Sequence, residues 1–342
     1  MRQAVYEGPR RIAVADRDDP RLGPGDVLVE VEACGVCGSD VASYVHGHYV
    51  EPGQVMGHEA VGRIVGAGTD AGHVAVGGRV AIRPLRACGV CWHCRRGETH
   101  ICGRTAAGSL GYGADGAFAD RVLLADDAHG RQLVALDSAT PVADAVWAEP
   151  LAVALHALDR ARLQAGQRAL VLGAGPIGLA LCAAAAAQGA RAEAVEPRAA
   201  RREAALAVGA AAAVDAAHAG ELSEPVDVVF DASGVPDAIA AGCARLRPGG
   251  PLVLVGLGDR PLPPLPADVA VRGAFAFTAD DFLRSVRLIE AGTVRLGRAV
   301  SHVFALDDTG RAIETAADDP SAVKVLVTPA PSPSNPTKEP TP

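Results

Sequence analysis

Cys88, Cys91, Cys94 and Cys102 stand at the spacing C-x2-C-x2-C-x7-C inside the short polar stretch RACGVCWHCRRGETHIC. Four thiolates this close in sequence suit a tetrahedral zinc shell with every position filled by protein, and such a closed shell is structural. A second, different constellation lies upstream and beyond: Cys37 in ACGVCGSD, His58 and Glu59 in MGHEAVG, and Glu149 in WAEPLAVALHA. It mixes sulfur, nitrogen and oxygen donors, the composition of an open zinc site that keeps a position for a further ligand. A third lies in GAGPIG, where Gly173, Gly175 and Gly178 follow the apolar run RALVL and precede an Ala-rich helical stretch. Between a strand and a helix, the first glycine allows a tight turn and the second lets the backbone approach a pyrophosphate. The third allows helix–strand packing, and the helix N-terminus, with Pro176 and Ile177, faces the anion.

Glu196 ends the next strand, eighteen residues after Gly178. A carboxylate there accepts from both ribose hydroxyls and repels a 2′-phosphate, which favours NAD over NADP. Arg198, Arg201 and Arg202 follow at once and can pair with that phosphate instead, so NADP stays open.

The elements that must position these groups divide by pattern. Residues 1–150 read as short β segments with Gly-rich turns: VLVEVEAC (27–34) alternates as a half-buried strand, and AVGRIVGAG (60–68) and GGRVAI (77–82) follow the same style. Over 151–275, RALVL, RAEAVEP, VDVVFDASG and PLVLVGLG are apolar strands alternating with helices, the pattern of a parallel, doubly wound α/β sheet buried on both faces. Over 276–328 that rhythm ends, and the helix DDFLRSVRLIEAG, the strand HVFAL, the helix TGRAIETAADDP and the strand KVLVT return to the first block. The tail 329–342 is Pro-rich and of low complexity, the composition of a disordered segment.

A chain of 342 residues with 49% hydrophobic residues is long enough for two domains with large cores. A net charge of −8 argues against nucleic acid as a partner, since a phosphate backbone needs a basic footprint. The apolar run 169–190 is broken by a glycine turn and reads as a buried strand and helix, not a membrane span. No charged-then-apolar leader opens the chain, and thiolate ligands need reducing conditions, so a cytoplasmic location is expected. Cys34 makes a CxxC pair with Cys37 and is read as a packing residue; Cys182 and Cys243 stand alone in Ala-rich segments.

CGVCGSD, GHEAVG, the four-cysteine lobe, EPLAVALHA, GAGPIG and FDASG occur in the order found in the zinc-containing medium-chain dehydrogenase/reductase superfamily, which the chain resembles over residues 1–328. The EPL segment resembles the polyol (sorbitol-type) branch. AEAVEPRAARREAALAVGA and the GHEAVG context are also similar to dehydrogenases of aminocyclitol and aminoglycoside antibiotic pathways. The resemblance implies a GroES-like β-barrel-type catalytic domain and a Rossmann coenzyme domain. It implies two zinc ions per chain, the catalytic one held by Cys37, His58 and Glu149, with Glu59 able to exchange with bound water. By the same resemblance Asp40 orients His58 and Ser39 starts the proton relay. Lys324 faces the cofactor phosphates, and Ser233 and Gly256 border the cofactor.

Two positions depart from that pattern. Ala42 replaces a histidine that passes the proton to solvent, which leaves His46 as a candidate substitute, and Gly78 replaces an aspartate in a GDRV turn. Tyr44 and Tyr49 can line the pocket or pack. His156 reads chiefly as a packing residue, and Trp92 and His93 as surface residues of the lobe. The expected activity is hydride transfer from a secondary alcohol of a polyol, sugar, aminocyclitol or aminoglycoside to NAD⁺. An NADPH-dependent carbonyl reductase is the alternative, and a non-catalytic zinc- or cofactor-binding protein the alternative of another class. A homodimer or homotetramer joined through DVAVRGAFAF is implied by the resemblance as well.

Overall fold

A computed structural model describes residues 1–72, 74–127, 132–222, 225–256 and 262–329; the tail expected to be disordered lies, but for Pro329, outside the described residues. In chain order the strands are β1 (Arg2–Gly8), β2 (Arg11–Asp16), β3 (Val27–Gly35), β4 (Glu59–Ala67), β5 (Arg79–Ile82), β6 (Arg121–Leu124) and β7 (Leu133–Ala135). They continue with β8 (Arg168–Leu172), β9 (Arg191–Val195), β10 (Ala212–Val214), β11 (Val228–Asp231), β12 (Pro251–Leu254), β13 (Ala270–Gly273), β14 (Val300–Ala305) and β15 (Lys324–Thr328). β1 and β2 form an antiparallel ribbon. A second sheet has the order β14-β15-β3-β4-β5-β7, with β6 also on β3. β4 covers the whole of one edge of β3. β6 takes the N-terminal half of the other edge and β15 its C-terminal end. The third sheet is parallel, in the order β10-β9-β8-β11-β12-β13.

Each sheet follows from its residues. In β3, Val27, Val29 and Val31 are buried while Glu30 is exposed, as the period of two requires for a strand with one wet face. In the parallel sheet, Ala169–Leu172 of β8 and Val228–Asp231 of β11 are buried throughout, because helices cover both faces. The helix Pro176–Ala187 that follows β8 is apolar nearly all round and is buried. Its neighbour Ala148–Ala161 buries five alanines among its eleven buried residues, which lets it pack closely on both Pro176–Ala187 and Ala279–Glu290. The expected boundary at 150 falls inside this helix, so a continuous rod links Glu149 at its first turn to the core of the parallel sheet. No described helix is long and apolar enough to cross a membrane.

The return of the chain to the first sheet has a local consequence. Gly35 is flanked in register by Glu59 on β4 and Leu326 on β15, and Lys324 lies two residues before Leu326, hence on the same face. Glu59 and Lys324 therefore reach toward each other across Gly35, where a Cβ would strike the Glu59 carboxylate and lie 2.8 Å from Lys324 Nζ.

Candidate metal and cofactor site

Cys37 caps the helix Gly38–His46, and Asp40 closes that turn: its Oδ2 accepts from the Cys37 amide at 2.9 Å. Its Oδ1 accepts from the Gly57 amide at 3.3 Å and stands 3.7 Å from His58 Nδ1. One buried carboxylate thus ties the loop bearing Cys37 to the loop bearing His58. Ligand atoms of Cys37, His58 and Glu59 all lie within 4.8 Å of one another. Glu59 Oε1 is buried without a hydrogen-bond partner, so a thiol, an imidazole and a carboxylate converge with donor capacity to spare. This chemistry fits zinc. Burial alone would hold His58 neutral, but Tyr112, Asp40 and Cys37 outweigh it and hold the imidazole well above its ordinary range.

Glu149 stands in the first turn of Ala148–Ala161 and is not a member of the convergent set among the described residues. Burial, with Glu59 and Asp40 adding to it against the opposing pull of His58 and Lys324, pushes its carboxyl up to about 7. Glu149 therefore belongs to the same electrostatic cluster.

Lys324 is not at the cofactor phosphates, where it was expected. It is fully buried, ion-paired to Glu59, donates to the Val36 carbonyl at 3.3 Å and lies 5.4 Å from the Trp147 ring centre. The register of β15 on β3 puts it on the metal side of the sheet.

His46, a candidate relay residue, is likewise not near Ser39. The two are seven residues apart on one helix, an axial distance of about 10 Å, and His46 is exposed beside His48. The partner of Ser39 is Tyr112, with 2.7 Å between the hydroxyls. Tyr112 Oη also stands 3.4 Å from His58 Nε2. Tyr112 was missed because its only sequence signal is a tyrosine in a Gly-rich loop, GYG, and its partner lies 73 residues away. Tyr44 does not line the site: it is buried, and its hydroxyl bonds the Arg10 carbonyl and Glu314 at 3.1 and 3.0 Å. His156 packs in the interior, bonded to Asp281 at 3.0 Å and against the His100 ring. Cys34 is fully buried, and desolvation, with Asp40 adding, pushes its thiol well up, which suits a packing residue.

In the lobe, Cys88, Cys91, Cys94 and Cys102 converge within 4.8 Å. Backbone amides point at the sulfurs, Cys91 N to Cys88 Sγ at 3.3 Å and Cys88 N to Cys102 Sγ at 3.4 Å. Burial acts against the Cys102 thiolate, but the Cys88 and Arg104 amides, with the neighbouring thiols, win and bring it down to about 6, whereas burial and its neighbours hold Cys94 at about 12. All four are free thiols.

The glycine turn follows β8, at the point where the strand order reverses between β8 and β11, which is where a doubly wound sheet opens a crevice. Gly173 has φ +87°, and Gly178 has no room for a Cβ against the Gly173 carbonyl. Pro176 opens the helix after Gly175, with Ile177 behind it. Ser233 follows β11, its hydroxyl on Asp231 at 2.7 Å, and Gly256 follows β12 close to the Gly234 amide, so both border the same crevice. Glu196 is buried, and its two oxygens already accept from the Ala174 and Arg198 amides at 2.7 and 2.9 Å. The Arg201 guanidinium lies next to Gly175.

A parallel dinucleotide sheet joined to a β-domain that carries one closed and one open metal donor set defines a two-domain, metal-dependent oxidoreductase. Residues 23–134 match the family described as alcohol dehydrogenase GroES-like domain, and residues 176–291 match zinc-binding dehydrogenase. The chain is 32% identical to D-xylulose reductase A of Aspergillus niger, covering 91% of this chain and 92% of that protein. It is 30% identical to sorbitol dehydrogenase of Bacillus subtilis, covering 96% and 97%. A Sinorhizobium meliloti chain assigned as a zinc-binding dehydrogenase and determined with NADP superposes with a TM-score of 0.87 at 29% identity, covering 96% of this chain and 99% of that one. The chain belongs to the zinc-binding alcohol dehydrogenase family, with a GroES-like domain, a Rossmann domain, zinc and a nicotinamide cofactor.

Proposed function

We propose that the chain oxidises a secondary hydroxyl of a polyhydroxylated substrate, a polyol, sugar, aminocyclitol or aminoglycoside, with NAD⁺. The observation that carries this reading is the convergence of Cys37, His58 and Glu59 beside the Ser39–Tyr112 hydroxyl pair. The names of the xylulose and sorbitol relatives support the substrate class. Cys37, His58 and Glu149 would hold the catalytic zinc, as the resemblance implies, Lys324 holds Glu59 beside Cys37 and His58, and the four lobe cysteines would hold the structural zinc. Zinc, when bound, supplies a Lewis acid that lowers the pKa of the substrate hydroxyl. The nicotinamide, when bound, accepts the hydride. Ser39 is placed to accept a hydrogen bond from the substrate hydroxyl as the first group of the proton path, Tyr112 holds the Ser39 hydroxyl in place, and Asp40 fixes the His58 ring. Gly173, Gly175, Gly178 and the N-terminus of Pro176–Ala187 receive the pyrophosphate.

A second reading, an NADPH-dependent carbonyl reductase, is favoured by one observation: Glu196 spends its oxygens on backbone amides while Arg201 stands at the loop. We read the outer edge of β13, with Val271 and Phe275 exposed, as the seam of a homo-oligomer. The thiolate donor sets support a cytoplasmic location.

The test is a spectrophotometric panel of simple alcohols, linear polyols, inositols and aminoglycosides with NAD⁺ and NADP⁺. Reduction of NAD⁺ by a polyhydroxylated class is expected, and Cys37→Ser should abolish it while leaving one zinc per chain. Full turnover by Cys37→Ser at that zinc content would refute the assignment.

A further inference from the structure

We propose that Tyr49, together with His48 and Tyr112, forms a stacking face at the mouth of the site that selects ring-bearing polyols over open-chain ones. The proposal rests on the polyol-oxidation reading and names the substrate class of the same site.

The backbone of Tyr49 is the first observation. Its φ is +66°, in the left-handed region, where an aromatic residue is a conformational outlier. The other non-glycine residues with positive φ among those described are Arg10, Asp126, Arg162, Asp268 and Ala276, none of them aromatic. Gly47, with φ +72°, already ends the helix Gly38–His46 in a left-handed cap, so helix termination does not call for a tyrosine two residues later. A glycine would adopt the conformation at Tyr49 freely. The strain is not offset by burial either, because Tyr49 is 56% exposed. Arg10, Asp126, Arg162 and Asp268 share positive φ and exposure, so the backbone alone singles nothing out; at Tyr49 the ring contacts do.

The neighbours say what the ring faces. Tyr49 stands edge-on to Tyr112, with 6.4 Å between ring centres and 78° between planes, and edge-on to His48 at 5.8 Å. Tyr112 in turn lies 5.0 Å from the His58 ring and bonds Ser39. An unbroken series of rings runs from the exposed rim, where His46 meets His48 at 5.5 Å, to the metal donors. A pyranose or cyclitol presents a rigid face of C–H groups whose positive edges match the negative face of an aromatic ring. It also brings that face preformed, whereas an open-chain polyol must first freeze its rotors. A hydroxyl of the same ring then reaches Ser39 while the ring lies against Tyr49.

The test compares kcat/KM for myo-inositol and xylitol in wild type, Tyr49→Phe and Tyr49→Gly, with the thermal midpoint of each. Wild type should prefer the cyclitol. Tyr49→Phe should keep that preference. Tyr49→Gly should lose roughly three- to tenfold in kcat/KM on myo-inositol, mostly through KM, and clearly less on xylitol. Its melting temperature should not fall, because glycine relieves the strained φ. Equal losses on both substrates, a lowered melting temperature, or a wild type that oxidises only xylitol would overturn the stacking face and leave the polyol reading standing. A wild type that oxidises neither substrate, nor any other polyol, overturns both.

Discussion

Lys324→Met isolates the buried ion pair at the centre of the molecule. Lys324 and Glu59 have side-chain exposures of 0% and 1%, so neither charge has water to fall back on. The pair attracts at about 4 kcal/mol near 4 Å if the effective dielectric is roughly 20. Removing one partner leaves the other charge buried and uncompensated, at a cost of about 3–5 kcal/mol. Lys324 also loses its bond to the Val36 carbonyl and its place over Trp147, so the upper half of that range applies. At about 2–4 °C per kcal/mol, zinc-replete Lys324→Met should melt roughly 10 °C below wild type at pH 7. The double variant Glu59→Gln/Lys324→Met, which removes both charges, should recover about half of that loss or more. A double-mutant cycle by urea denaturation should give a coupling of at least about 2 kcal/mol. A single variant within about 1 kcal/mol of wild type, or strictly additive losses, would refute the view that this pair holds β4, β3 and β15 together.

Two further outcomes follow from the metal donors. Glu149 has a folded-state value of about 7 against an ordinary 4.5, so the folded, metal-free chain holds this proton more tightly than the unfolded chain. Its contribution is fully present below pH 4.5 and is lost as the pH rises through 7. Chelated wild type should therefore lose about 3 kcal/mol more than chelated Glu149→Gln over that interval; parallel urea profiles for the two would exclude it. Cys102→Ser should reduce bound zinc from two ions per chain to one, measured by metal analysis, and should lower the melting temperature; unchanged zinc content would contradict the four-cysteine assignment.

Much of the fold was legible because its signals are local. β3 showed in the alternation of Val27, Val29 and Val31 against Glu30, and the helix Ala279–Glu290 in its spaced apolar residues Phe282, Val286 and Ile289. The β1–β2 ribbon and the three-residue β10 escaped notice as separate elements. Their residues are half-buried at best in β2 and β10, and their strand character comes from pairing with neighbours.

The amino-acid sequence by itself determined the four-cysteine lobe, the glycine turn and the identities of Cys37, His58 and Glu59. In the lobe and the glycine turn the chemistry depends on residues a few positions apart, so spacing alone nearly specifies geometry; Cys37 and the His58–Glu59 pair were legible only as separate motifs, which the fold brings together through Asp40. Tertiary structure alone decided which groups complete them. It set Lys324 against Glu59 across 265 residues and Tyr112 against Ser39 across 73. It also turned Glu196 onto the glycine loop and left His46 on the surface. The first of these depends on strand register, since a shift of one residue in β15 would turn Lys324 to the opposite face. No local pattern in the chain carries that register; it is set by which buried faces pack together.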